Sequence, residues 1–146
     1  MRALLDVNVL IALLDAGHLH HRLATQWLAG RLGAGWASCP ITQNGCLRIL
    51  SQPAYPGAQP LALVAERLAE AVAHPSHQFW PDSLSLLDPS ILGAWSLTGH
   101  RQVTDAYLLA LAVQRDACFV TFDARVPMSA VAGAQPRHLV VLSAAA

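Results

Sequence analysis

Three aspartates stand where a folded chain can gather them. Ala3-Leu4-Leu5-Asp6 and Cys118-Phe119-Val120-Thr121-Phe122-Asp123 are short apolar runs that each end in an acid, and Asp105 opens a strongly apolar stretch ahead of the second run. In an open parallel sheet the ligand crevice lies beyond the carboxyl ends of the strands, where helix N-termini also point, so residues at these three places converge despite their separation in sequence. Taken singly, each acid would cap a helix or punctuate a strand. Together they repel: two carboxylates about 5 Å apart cost roughly 3 kcal/mol at an effective dielectric near 20, so three either take up protons or hold a cation. Oxygen-only ligands select a hard ion, Mg²⁺ or Mn²⁺.

The elements that must position these acids alternate between strand and helix. Strands are expected at 2–5, 36–39, 77–80, 119–122 and 138–142, and helices at 8–14, 19–28, 42–50, 61–73, 89–97 and 105–114. Pro40 suits a helix start, where its missing N–H costs nothing, and Pro75 closes the helix whose polar side carries Glu66 and Glu70. Thr104 is expected to cap the helix that begins at Asp105, and Asn8 to be either an N-cap or polar support for Asp6. Strands alternating with helices imply a doubly wound α/β fold with a central, mostly parallel sheet flanked by helices.

Composition narrows the chemistry. All nine basic residues are arginine, matched by nine acidic ones, so the formal net charge is zero. Without lysine or a glycine-rich loop a P-loop is excluded, and phosphate contacts fall to arginine and metal. Zero net charge leaves no general counterion-release drive toward nucleic acid, so an RNA substrate needs locally placed arginines: Arg48, Arg101 and Arg125 are the candidates. Cys39, Cys46 and Cys118 are odd in number and lack metal-ligand spacing, and read as buried thiols. Hydrophobic residues make up 54% and charged ones 12%, an apolar balance that points to a covered surface and an oligomer. The 146 residues read as one domain spanning 1–146. No apolar stretch has the length of a membrane span, and the N-terminal run is broken by Asp6, Asn8 and Asp15, so a cytoplasmic protein without membrane association is expected. His18, His20 and His21 read as a polar surface rather than a transition-metal site, and Trp27, Trp36, Trp80 and Trp95 as core or interface anchors.

Read in order, the segments Leu4-Leu5-Asp6-Val7-Asn8, Ile41-Thr42-Gln43-Asn44-Gly45, Val103-Thr104-Asp105-Ala106-Tyr107 and Val120-Thr121-Phe122-Asp123 give the chain a resemblance to PIN-domain ribonucleases, most of all VapC-type toxins. The resemblance covers nearly the whole length. It implies a PIN-like fold and a metal-dependent endoribonuclease that cleaves RNA with Mg²⁺ or Mn²⁺. It also implies a homodimer, silenced by a cognate VapB-type antitoxin whose C-terminal segment enters the active-site groove. Asp6, Asp105 and Asp123 match the family's metal-binding acids and Asn8 the polar neighbour of the first; Asn44 and Thr104, from their places beside the crevice, are read as further polar support for the carboxylates. Where many members have glutamate this chain has Gln43, which can orient a water but brings no negative charge and cannot act as a general base. That departure keeps open a catalytically silent PIN-like module that binds RNA or protein. A small phosphohydrolase using Asp6 as nucleophile is a second alternative, weakened by the missing lysine.

Overall fold

The computed structural model describes residues 1–93, 97 and 99–143. Five strands, β1 (Ala3–Leu5), β2 (Trp36–Ser38), β3 (His77–Phe79), β4 (Cys118–Thr121) and β5 (Leu139–Val141), form one sheet in the order β3-β2-β1-β4-β5. Every pairing is parallel, with Leu4 opposite both Ala37 and Phe119 and Leu5 opposite Val120. The helices are α1 (Val7–Leu14), α2 (His21–Ala29), α3 (Pro40–Leu50), α4 (Leu61–Val72) and α5 (Val103–Gln114). Among the described residues no helix is long and apolar enough to cross a membrane.

Period-two alternation in the strands divides the core in two. Leu4 and Phe119 face a layer built on Leu108 and Leu111 of α5 with Trp80, while Leu5 and Val120 face Leu10 of α1, Cys46 of α3 and Leu68 of α4. The chain leaves β1 toward β2 and β3, then returns to the other side of β1 as β4. The boundary between β1 and β4 is therefore a topological switch point, and the crevice of such a sheet opens there.

Gly45 sets how closely α3 approaches α1. A Cβ on it would meet Val7 Cγ2 at 2.7 Å, next door to Asp6. Gly45→Ala is expected to cost about 1–3 kcal/mol through overpacking, seen as a lower midpoint in urea unfolding.

Two expected features fall elsewhere. Residues 89–93 form turns and a bridge rather than helix: Leu92 pairs antiparallel with Val131, a contact local propensity does not register. Residues 94–96 of the expected helix, Trp95 among them, lie outside the described residues. Thr104 does not cap α5, because a 3-10 turn at His100–Gln102 runs straight into the helix and puts Gln102 at the N-cap position.

Candidate metal and active site

Asp6 is fixed by what surrounds the end of β1. Its backbone N–H donates to the Val120 carbonyl at 2.9 Å, extending the β1–β4 pairing by one residue. Its carboxylate then caps α1, with Oδ1 accepting from the Val7 N–H at 2.7 Å and Oδ2 accepting from the Thr121 hydroxyl at 2.6 Å. Asp6, rather than Asn8, is thus the N-cap. Asp6 is 8% exposed, and burial raises its pKa against the opposing pull of the Thr121 and Val7 donors, with Asp123 adding repulsion.

Thr121 ties the crevice together. Besides donating to Asp6, its oxygen accepts the Asp123 N–H at 3.1 Å and the Asn8 side-chain amide at 3.4 Å. It is fully buried, as a last strand residue facing the core should be. No expectation from sequence singled it out; the available signal was a hydroxyl two residues before a strand-end acid.

Asp105, in the first turn of α5, completes the group. Its pKa is pushed up to about 6, first by burial and then by the neighbouring Asp6 and Asp123 carboxylates, with Arg125 opposing. That mutual repulsion is the electrostatic sign of three acids sharing one crevice. Asp123 goes the other way: hydrogen bonding from Arg125 holds its carboxyl below the usual range. Arg125 Nε and its second guanidinium nitrogen reach the two carboxylate oxygens at 3.0 and 3.2 Å, and the Arg125 backbone N–H adds a third bond at 2.8 Å.

Among the described residues no three His, Cys, Asp or Glu side chains are already set as a ligand cage, since Asp6 is turned to Thr121 and Asp123 to Arg125. The donor set nevertheless suits a hard cation. Asn8 Oδ1 is buried with no hydrogen-bond partner, although buried acceptors are almost always satisfied, and Asn8 lines a shallow depression with Phe122, Asp123 and Arg125. An unpaired amide oxygen beside carboxylates that repel one another fits an ion bound through oxygen.

Asp105, Asp123, His100, Arg101 and Arg125 also line a cavity of about 260 Å³. Two of the expected phosphate contacts, Arg101 and Arg125, are thereby brought to the acids. Thr104 is exposed on the same helix end.

Gln43, Asn44 and Arg48 are placed differently. The Gln43 amide donates to Ser38 Oγ at 2.9 Å, which in turn lies 2.7 Å from His77 Nε2, and the side chain lines a cleft against Ala65 and Leu68 of α4. Asn44 and Arg48 are exposed along a groove with Leu47 and Leu61. Helical rotation explains this, because Thr42 points inward to accept the Cys39 N–H at 3.0 Å and each following residue turns about 100° further. Gln43→Ala is expected to lower stability by about 1 kcal/mol through the lost hydrogen bond. Thermal unfolding and a cleavage assay on one preparation check this, with the cleavage rate changing less than about threefold.

A PIN domain family model matches residues 3–134. The chain is 50% identical over 142 residues to the ribonuclease VapC44 of Mycobacterium tuberculosis (strain ATCC 25618 / H37Rv), covering 97% of this chain and 100% of that one. It is 41% identical over 134 residues to the ribonuclease VapC39 of the same strain, covering 91% and 96%. Among solved structures, the sarcin-ricin loop cleaving toxin VapC20 of Mycobacterium tuberculosis matches with a TM-score of 0.62 at 13% identity, covering 92% of this chain and 99% of that one. VapBC2 of Rickettsia felis, bound to a DNA fragment from its promoter, matches with a TM-score of 0.58 at 13% identity, covering 87% and 94%. At that identity the two structures speak for the fold alone. The family model and the full-length relatives together establish that this chain belongs to the PIN domain family, among its VapC members.

Proposed function

We propose that this chain is a metal-dependent endoribonuclease, the toxin of a toxin–antitoxin pair. Membership among proteins named ribonucleases supports RNA as substrate, and the observation that carries the reading is the crowding of Asp6, Asp105 and Asp123 at the β1/β4 switch point. These three acids, with Asn8 Oδ1, would hold Mg²⁺ or Mn²⁺. When bound, the ion supplies Lewis acidity at the scissile phosphodiester and offsets negative charge developing on the phosphoryl oxygens.

The chain's own residues do the rest. Thr121 holds the Asp6 carboxylate in one orientation, and α5 presents Asp105 from a helix N-terminus on a rigid element. Arg101 and Arg125 offer guanidinium forks to phosphate oxygens from the rim of the same cavity. The raised pKa of Asp105, about 6, comes from burial and from the neighbouring Asp6 and Asp123 carboxylates, a repulsion that a bound divalent cation would relieve. Gln43 donates its amide to Ser38 Oγ and lines a separate cleft against α4, and intact RNA in the test below would favour a catalytically silent module.

A VapB-type antitoxin is the cognate partner this reading calls for, supported by the VapBC complex among the structural matches. A homodimer is supported by the apolar composition and by exposed Val103, Leu87 and Leu19. The test uses purified, antitoxin-free protein and end-labelled structured RNA. Discrete fragments are expected with Mg²⁺ or Mn²⁺ and none after chelation; intact RNA under all divalent conditions would overturn the assignment.

A further inference from the structure

The connection between α1 and α2 carries three histidines that the proposed chemistry leaves unused. His21 is structural, its Nδ1 donating to the Ala12 carbonyl at 2.7 Å. His18 and His20 instead turn their rings to Phe122. The His18 ring stacks on it with centroids 6.4 Å apart and planes 16° apart, and the His20 ring lies 4.8 Å away at 33°. The two imidazoles are 5.8 Å from each other.

This arrangement is held in place. The His20 N–H donates to His18 Nδ1 at 3.0 Å, the His18 N–H donates to the Asp15 carbonyl at 3.0 Å, and the Asp15 carboxylate accepts from the Gly17 N–H and the Tyr55 hydroxyl. With His18 Nδ1 occupied by a backbone donor and His21 Nδ1 by a carbonyl, the trio is not arranged as a metal site. All three rings of the His18–His20–Phe122 group are half-buried, so each packs on a neighbour and keeps some face in solvent. Burial, reinforced by His20, holds the His18 imidazole below its ordinary pKa, which keeps it an uncharged ring at neutral pH.

Position decides what such a group is for. Phe122 sits between Thr121, which orients Asp6, and Asp123, and shares a depression with Asn8, Asp123 and Arg125. That depression therefore joins carboxylate and guanidinium, suited to a phosphodiester, to the ring of Phe122, on which His18 and His20 pack. A nucleotide has the same two-part chemistry. A protein of zero net charge gains little from overall counterion release, so its grip on RNA rests on local contacts, and base stacking is one that needs no charge.

We propose that His18, His20 and Phe122 form a stacking platform for one unpaired base of the RNA, next to the phosphodiester addressed by Asp6, Asp105 and Asp123. The inference deepens the ribonuclease reading and rests on it. It sets the substrate class: the nucleotide beside the cut must be unstacked, as in a loop, bulge or single strand, since a base inside a duplex has no free face to offer. The rings tolerate any base, so they select for accessibility rather than for sequence.

The test separates binding from cleavage. Asp105→Asn protein is titrated with short single-stranded RNAs carrying 2-aminopurine at successive positions, read by fluorescence and anisotropy, and compared with the same protein bearing His20→Ala or His20→Phe. Quenching at one position is expected, with affinity lowered roughly 5- to 100-fold by His20→Ala and restored to within about twofold by His20→Phe. Unchanged affinity in His20→Ala, or a His20→Phe variant as weak as His20→Ala, would overturn the platform. Wild-type protein is assayed in parallel for cleavage of the same RNAs: cutting without quenching rejects the platform alone, and quenching without cutting rejects the nuclease reading alone.

Discussion

Replacing Asp105 by Asn is expected to lower RNA cleavage by about a thousandfold or more, because several kcal/mol of charge stabilisation at the phosphodiester depend on the acids that hold the ion. The fold should survive. Among the described residues no side-chain hydrogen bond of Asp105 supports α5, and asparagine keeps its shape. The electrostatics even favour the variant in the absence of metal. The folded-state pKa of Asp105 is about 6, above its ordinary 3.8, so the folded chain binds the proton more tightly, and this group's contribution to stability declines as pH rises between those two values. At pH 7.5 the wild-type protein carries the whole of that cost and the asparagine variant carries none. Metal-free melting at pH 7.5 should therefore place the variant at or above wild type, and at pH 4 the two should converge. Added Mn²⁺ should reverse the order, raising the wild-type midpoint through binding to the folded state while leaving the variant nearly unmoved. A variant that keeps cutting RNA, or one that responds to Mn²⁺ as wild type does, would remove Asp105 from the site.

How far the sequence foretold this arrangement differs from residue to residue. Asp6, Asp105 and Asp123 were legible because each lies at the end of a short apolar run or the start of one, and a parallel sheet brings such ends to one edge. The strands and five of the six expected helices were legible from periodicity, with boundaries shifted by a residue or two. The expected helix at 89–97 fails over residues 89–93 because a long-range bridge from Leu92 to Val131 outweighs local preference. Gln43 shows what motif spacing leaves out. Its position along the chain is close to the crevice, but the inward turn of Thr42 rotates it toward Ser38 and α4. Thr104 lost its capping role to a 3-10 turn that begins three residues before α5. The contact of His18 and His20 with Phe122 joins segments about a hundred residues apart, and no pattern along the chain encodes it.

Thr121 was overlooked for a related reason: a β-branched residue in a strand reads as packing, yet here its hydroxyl serves three partners at once. Thr121→Val keeps the shape and strand preference while deleting that oxygen. Asp6 then loses the donor that most counteracts burial, so its pKa climbs further and protons compete more strongly for the carboxylate. The Asp123 N–H and the Asn8 amide lose their acceptor as well, at a cost of about 1–3 kcal/mol for buried groups left unpaired. Divalent-ion affinity measured by calorimetry is expected to fall about 10- to 100-fold, with cleavage falling in step. The pH dependence has a defined sign. An acid whose folded pKa is raised destabilises the fold increasingly as pH rises through its window, so the upward shift in Asp6 extends the stability loss of Thr121→Val to higher pH. Competition between proton and ion makes the affinity deficit larger at pH 6 than at pH 8. Thr121→Ser, which keeps the hydroxyl and drops only a methyl group, should stay within about threefold of wild type in ion affinity. Equal ion affinities for the valine, serine and wild-type proteins would mean that Thr121 merely packs, and that Asp6 is held in place by the Val7 N–H alone.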